Sequence, residues 1–334
     1  MNLTCQKISM NFDPKGLNAL KGFSAEFIKG HRTAVVGPSG AGKTTLLAIL
    51  AGVRLPDSGT VNLPSKKICF ISQEFNLPKD LTADQLFDSI TKSRDDKRYL
   101  VEVFHLQSKV HKPIETLSTG QKSRVYLVSK LLARPEWILM DEPFAHLDRP
   151  LQRVLEAELN EVMTEWNLSL ILVTHQLEQA YEWAHDLVFI SDGICRYQGP
   201  AKKFYTDPPE TLSALFSGPA NLIASQVLKK HGDYLVIKNS LGEFRLPSKS
   251  ELNARDGVKF VYLLIRPEMI RLADSGILAE VQQILFQGVT LELTVRTQEG
   301  TQLLVKLWSY SKSFQLGEKV FLELDKESFS LLPI

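Results

Sequence analysis

Cysteine is scarce in this chain. Cys5, Cys69 and Cys195 lie far apart with no C-x-x-C pair, which excludes a disulfide-stapled scaffold and a cysteine-rich metal module. They read as reduced, small apolar residues of a cytoplasmic protein. Long apolar runs are also missing. The longest, at residues 137–140, 168–173 and 261–265, fall far short of the roughly 20 residues that cross a bilayer, so the chain is not expected to span one. Residues 1–7 carry no charged start followed by an apolar stretch, and no secretion signal is expected there. An excess of one charge is lacking too. Lys plus Arg number 39 against 38 Asp plus Glu, a net +1, which leaves no broad field for coating a polyanion, and no nucleic-acid partner is expected.

What is present is ordinary globular composition, 44% hydrophobic and 23% charged over 334 residues, enough for two domains at about 150 residues each. From about residue 8 to 192, short apolar runs (33–36, 67–71, 137–140, 170–173) alternate with helical spacing at 43–51, 120–133 and 151–166. Continuous short apolar runs are how strands covered on both faces look, and the alternation predicts an α/β fold with a mainly parallel sheet. Asp207-Pro208-Pro209 and Ser217-Gly218-Pro219 then punctuate the chain, which places a domain boundary between residues 221 and 222. Beyond it, strands at 234–237, 260–265, 277–286, 291–296, 303–307 and 320–324 predict a small all-β domain, read as a barrel, over 222–334.

Gly37-Pro38-Ser39-Gly40-Ala41-Gly42-Lys43-Thr44, followed by Thr45, fits G-x-x-x-x-G-K-[ST] between a strand and a helix. The glycines let backbone N–H groups converge on phosphate oxygens, and the helix N-terminus adds partial positive charge. Lys43 is expected on the β- and γ-phosphates of ATP and Thr44 on Mg²⁺. Asp141 and Glu142 end the apolar run 137–140, at the sheet edge where ligands bind. Asp141 is the candidate Mg²⁺ partner. Glu142, expected to point the opposite way, is the candidate to polarise the attacking water. Taken alone, the two carboxylates are also readable as a surface pair capping the next element.

Leu117-Ser118-Thr119-Gly120-Gln121, shortly before Glu142, resembles the L-S-G-G-Q signature of ATP-binding cassette (ABC) proteins. By itself it reads equally as a serine N-cap. The family's other elements follow in order. Gln73 matches the Q-loop glutamine, Ala145-His146-Leu147-Asp148 the D-loop, His175 the switch histidine, and Phe12 the aromatic residue that stacks on adenine. The resemblance implies a P-loop NTPase domain over 1–221, with a helical insert between Gln73 and Ser118 whose helices are expected at 82–90 and 96–106. It also implies two such subunits meeting head to tail around two ATP molecules. Each site would take its phosphate loop, Gln73 (also near the metal), Asp141, Glu142 and His175 from one subunit. Ser118 and Gly120 would come from the other, and Gln121 and Asp148 are also expected among the nucleotide-binding residues. Thr119 departs from the family's usual glycine: either the backbone there is ordinary or the contact is altered. Phe75, Leu77, Leu81 and Phe87 of the insert fit a core as well as a surface for membrane subunits, core being the better reading.

Leu264-Ile265-Arg266-Pro267-Glu268 resembles the I-R-P-E segment of the TOBE domain, an OB-like barrel appended to importer ATPases for oxyanions, ferric iron, polyamines and sugars. Residues 266–268 are readable as a structural turn or as a regulatory contact. The resemblance implies the ATPase subunit of a bacterial importer, peripheral on the cytoplasmic face of the membrane. Its partners would be a second copy of itself, separate permease subunits and, indirectly, an external solute-binding protein. A soluble ABC ATPase acting on nucleic acid or ribosomes and an exporter ATPase are the alternatives; one cassette, scattered cysteines and near-zero charge speak against the first, the TOBE-like domain against the second.

Overall fold

The computed structural model describes residues 1–11, 18–63, 67–72, 76–144, 147–231, 234–247, 259–310, 312–325 and 329–334. Phe12, Gln73, Phe75, Ala145 and His146 lie outside the described residues. The chain divides into two compact units, Met1–Ala201 and Lys202–Ile334.

The first unit begins with strands β1 (Leu3–Asn11) and β2 (Asn18–Phe27), then β3 (Arg32–Val36), helix α1 (Lys43–Leu50), β4 (Ser58–Asn62) and β5 (Ile68–Ile71). The insert helices α2 (Ala83–Ile90) and α3 (Arg94–Val103) follow, then α4 (Thr119–Leu131) and β6 (Trp137–Asp141). It continues with α5 (Arg149–Glu165), β7 (Ser169–Val173), α6 (Leu177–Trp183), β8 (Asp186–Ser191) and β9 (Ile194–Pro200). The main sheet has the order β5-β6-β7-β3-β8-β9, parallel except for the β8–β9 pair. A second, antiparallel sheet runs β2-β1-β4.

The continuous apolar runs are explained by a core on each face of the main sheet. Along β6, Trp137 and Leu139 join Phe23, Phe27, Leu46 and Leu50 on one face, while Ile138 and Met140 join Phe87, Phe104 and Val125 on the other. This is the period-two alternation of a strand with both faces covered. In the insert, α2 opens with a capping box, Thr82 and Gln85 satisfying each other's backbone N–H. Phe87 is fully buried, and Leu77 and Leu81 pack against the same core, as the sequence favoured. The three cysteines are free, and burial pushes the Cys5 thiol up to about 12. Cys69 and Cys195 are pushed up to about 11 by the same cause, so none is a ready nucleophile.

In the second unit, α7 (Ala201–Thr206), which starts at the unit boundary, and α8 (Thr211–Phe216) precede two antiparallel five-stranded sheets. One has the order β12 (Gly242–Pro247), β11 (Tyr234–Asn239), β10 (Asn221–His231), β13 (Phe260–Ile265), β19 (Ser330–Pro333). The other has β14 (Ile270–Ala273), β18 (Lys319–Leu324), β15 (Ile277–Phe286), β16 (Thr290–Thr297), β17 (Gln302–Trp308). A single apolar cluster including Ile237, Leu263, Val281, Leu293 and Val305 joins them. The second sheet curls until its edges, β14 and β17, come together without pairing, the form of a partly open five-stranded barrel. The sequence read all its expected strands as one barrel; those at 234–237 and 260–265 belong instead to the first sheet, and those at 277–286, 291–296, 303–307 and 320–324 to the curled one.

The unit boundary also falls earlier than the expected 221/222, because residues 202–221 group with the β-rich unit. Arg266 is a physical reason. Only 3% exposed, it donates to the carbonyls of Tyr205, Ala214, Gly218 and Pro219 and to Ser217 Oγ, and its guanidinium lies over the Tyr205 ring at 4.2 Å. Tyr205 and Ala214 belong to the last turns of α7 and α8, where carbonyls lack helical partners and carry partial negative charge. Of the two readings of residues 266–268, Arg266 takes the structural one.

Candidate active site

The phosphate-loop sequence follows β3, whose residues Thr33 to Val36 are buried between the parallel neighbours β7 and β8. The loop therefore leaves from the C-terminal edge of the sheet's interior. Two of its glycines are sterically forced. A Cβ at position 37 would stand 2.1 Å from Ile190 O, and one at position 42, where φ is +99°, would stand 2.2 Å from Ala19 O. Gly42 caps α1 with no side-chain bond, so the first-turn N–H groups of α1 face the loop without a side-chain acceptor.

Lys43 folds back under the loop, 9% exposed, and its Nζ donates to the carbonyls of Gly37 and Pro38 at 2.9 Å each. Burial lowers its pKa from the ordinary lysine value; the charges of Glu142 and then Asp141 oppose that shift. Thr44 is exposed beside it and donates a side-chain hydrogen bond to Asp141. Burial raises the Asp141 carboxyl above its usual range, the Thr44 bond pulling against it, Glu142 adding to it and Lys43 opposing. Ala41 is buried and its N–H donates to Pro38 O at 3.2 Å. Pro38, Ser39 and Gly40 are exposed at the loop's rim, and Thr45 is half-buried in α1.

Strand order explains how the carboxylates reach this lysine. β7 lies between β3 and β6, with Asp141 paired to Val173 and Val173 to Val35. Past the strand ends Glu142 N donates to Val173 O at 3.0 Å and Thr174 N to Val35 O at 3.4 Å, so the three ends stay in step. His175 then places Nδ1 3.0 Å from Glu142 Oε1. Strand alternation had suggested that Asp141 and Glu142 point apart. Glu142 has φ +46°, where the strand's alternation ends; the charges of both carboxylates act on Lys43, while their side chains bond different partners, Asp141 with Thr44 and Glu142 with His175.

The remaining candidates sit elsewhere on the first unit. Ser118 is the N-cap of α4 and forms a capping box with Gln121: Gln121 N donates to Ser118 Oγ at 3.4 Å, and Ser118 N to Gln121 Oε1 at 3.2 Å. Thr119 is the first helical residue and has no positive φ, so its backbone is ordinary and a β-branched side chain is tolerated. Gly120 lies against Leu151, the third residue of α5. Asp148 caps α5, accepting from Leu151 N at 2.9 Å. The structure thus joins Lys43, Thr44, Asp141, Glu142 and His175 in one cluster, and puts Ser118, Gly120, Gln121 and Asp148 together at the N-termini of two neighbouring helices. Ile190 and Ala19, which wall the phosphate loop with backbone carbonyls, were not singled out in the sequence. Nothing in a strand's apolar run marks which carbonyl a distant glycine will approach.

The ABC transporter family profile matches residues 20–145, and the TOBE domain profile residues 263–332. The chain is 26% identical to the spermidine/putrescine import ATP-binding protein PotA of Marinobacter nauticus, over 95% of this chain and 91% of that protein. It is 28% identical to the Fe(3+) ions import ATP-binding protein FbpC 2 of Pectobacterium atrosepticum, over 97% of both. Among solved structures, cbiO1 of Clostridium perfringens, described as part of an ABC transporter complex, superposes with a TM-score of 0.54 at 24% identity, over 60% of this chain and 89% of that one. A bacterial ABC transporter cassette solved as a dimer gives 0.52 at 22%, over 60% and 98%. At these identities the structural likeness shows the fold.

Proposed function

The chain belongs to the ABC transporter ATPases that carry a C-terminal TOBE domain, and from that premise we propose that it is the ATP-hydrolysing subunit of a bacterial importer for an inorganic ion, ferric iron or a polyamine. The observation that carries this reading is the convergence of Lys43, Thr44, Asp141, Glu142 and His175 at the ends of β3, β6 and β7. Their donor set suits a magnesium-bound triphosphate: amides and an ammonium for the phosphates, a hydroxyl and a carboxylate for the metal. Mg²⁺-ATP supplies the phosphoanhydride whose hydrolysis is the energy source. The backbone of residues 37–42 and Lys43 bind the β- and γ-phosphates; Thr44 and Asp141 hold the Mg²⁺, together with Gln73, and Phe12 takes the adenine. Glu142 accepts the proton of the attacking water, and His175, bonded to it, holds that carboxylate in place.

The same reading gives the chain three kinds of partner. A second copy supplies Ser118 and Gly120 to each ATP, separate permease subunits carry the solute, and an external binding protein selects it. The length of the likeness to the two import proteins, through both units, supports the importer assignment. Among the described residues no helix is long and apolar enough to cross a membrane, which fits a subunit attached to the cytoplasmic face through those permeases. The test is affinity capture of the full chain from solubilised membranes, with Mg²⁺-dependent phosphate release assayed on the captured complex. Permease subunits together with ATPase activity are expected; capture of ribosomes or nucleic acid, or no phosphate release, overturns the reading.

A further inference from the structure

Two helices carry the residues that this reading turns toward the second copy: α4, capped by Ser118, and α5, capped by Asp148. They touch at two levels. Near their N-termini Gly120 is so close to Leu151 that a Cβ at position 120 would stand 2.9 Å from Leu151 Cδ2. Farther along, Arg124 of α4 donates to Glu158 of α5 through Nε at 3.0 Å and Nη2 at 2.6 Å. Glu158 is 6% exposed, and His105, just beyond α3, brings Nε2 to 4.0 Å from its Oε1.

At 1.5 Å per residue the two contacts are separated by about 6 Å along α4 and about 10 Å along α5. A single contact leaves two rods free to pivot. Two contacts at different heights fix both the crossing angle and the slide. The fork of two N–H bonds from a planar guanidinium is also directional in a way that an ammonium is not. A buried ion pair seldom adds much net stability over apolar packing, so its value here is geometric.

We propose that Arg124 and Glu158 are positioning residues for the two-subunit site, holding α4 against α5 so that Ser118 and Asp148 reach the second copy as one rigid surface. The proposal rests on the ATP-sandwich reading above. Neither residue touches nucleotide; each acts through the helix that it orients.

The test uses the full chain carrying Glu142→Gln, with two readouts: Mg²⁺-ATP affinity of the protomer by equilibrium titration, and ATP-dependent dimerisation by light scattering. Arg124→Lys keeps the charge and loses the fork. Protomer affinity is expected to stay within about twofold, while the ATP concentration for half-dimerisation rises about tenfold or more, the scale of a small misplacement at a reacting site. Unchanged dimerisation, or protomer affinity falling in step with it, overturns the proposal. Should Arg124→Lys not fold, Arg124→Met with Glu158→Leu removes both charges without stranding either, and the same split is required of it. The Glu142→Gln parent is the control: if it does not dimerise with ATP, the sandwich reading fails and this proposal with it, whereas a dimerising parent isolates the role of the pair.

Discussion

Replacing Glu142 by glutamine separates binding from chemistry at this site. The amide keeps the side chain's length and shape and can still meet His175, now 3.0 Å from Oε1, but it cannot take a proton. A positioned general base contributes about 10²–10⁴ in rate, which at 1.36 kcal/mol per tenfold is about 2.7–5.5 kcal/mol of barrier. The stability cost is much smaller. The Glu142 and His175 side chains are 28% and 58% exposed, so their pairing is screened and worth about 0–1 kcal/mol. For a unit of this size that is a fall in Tm of at most about 2–4 °C. Nucleotide affinity should hold or improve, because one negative charge beside Lys43 and the phosphates is removed. The assay is single-turnover phosphate release at saturating Mg²⁺-ATP, beside an equilibrium titration of nucleotide and a thermal melt. A rate within about threefold of the parent, against the expected hundredfold or greater loss, would refute the role of Glu142 and make His175 the next candidate base. A parallel loss of binding would show that the residue supports the pocket instead.

Lys43→Ala removes the ammonium beneath the loop and should weaken Mg²⁺-ATP binding about a hundredfold; mixed with Ser118→Arg, itself inactive, it should regain part of the ATPase, since both lesions then fall in one of two sites, and no recovery in dimers with a competent second site would count against sharing. Asp141→Asn should raise the Tm of the nucleotide-free chain, by about 2–4 °C for each kcal/mol recovered. Because the folded pKa of Asp141 is raised from 3.8, its contribution to stability is present at acid pH and lost as pH climbs through the folded value. The gain should therefore be largest near neutral pH and shrink on acidification; a gain that grows toward acid pH would reverse the assigned shift. Arg266→Lys strands several carbonyl acceptors in the second unit and should cost about 2–4 kcal/mol in denaturant unfolding of that unit, with nucleotide affinity unchanged, since every proposed nucleotide contact, from Phe12 to His175, precedes that unit; affinity falling with it would count against that placing.

The parallel sheet and the phosphate loop were legible because they depend on local rules. Buried strands repeat apolar residues without interruption, and a loop that wraps phosphate needs glycine where backbone crowds backbone; positions 37 and 42 are so crowded. The sheet β2-β1-β4 was not legible. Its first strand carries register shifts at three places, and β4 is a mostly exposed S-G-T-V-N with no apolar period. The backbone of Glu142 was not legible for a different reason, since strand alternation holds only while φ stays extended and the positive φ comes after the last strand residue. The boundary shift had the same kind of cause. Proline and glycine mark where a chain turns, but Arg266 decides which unit the turn belongs to, through contacts about 50 to 60 positions away in sequence that no local pattern encodes.

Ser118 shows why a cap and a phosphate ligand are not competing readings of one residue. A hydroxyl has two lone pairs and one hydrogen. Capping uses only a lone pair, to accept from Gln121 N, and the exposed hydroxyl keeps its hydrogen for an acceptor outside the chain. The box satisfies the N–H of Gln121 and of Ser118 itself, while the N–H groups of Thr119 and Gly120 have no acceptor within the helix. A helix end that is half capped and exposed holds its shape without consuming its capacity to bind an anion. The same economy explains the tolerance of Thr119. Its φ is helical and its side chain is exposed, so its backbone does not require glycine there. At Gly120 the neighbour is the methyl end of Leu151, a side chain that can turn aside, so a Cβ there is crowded by the packing of α4 on α5 without being forbidden by it.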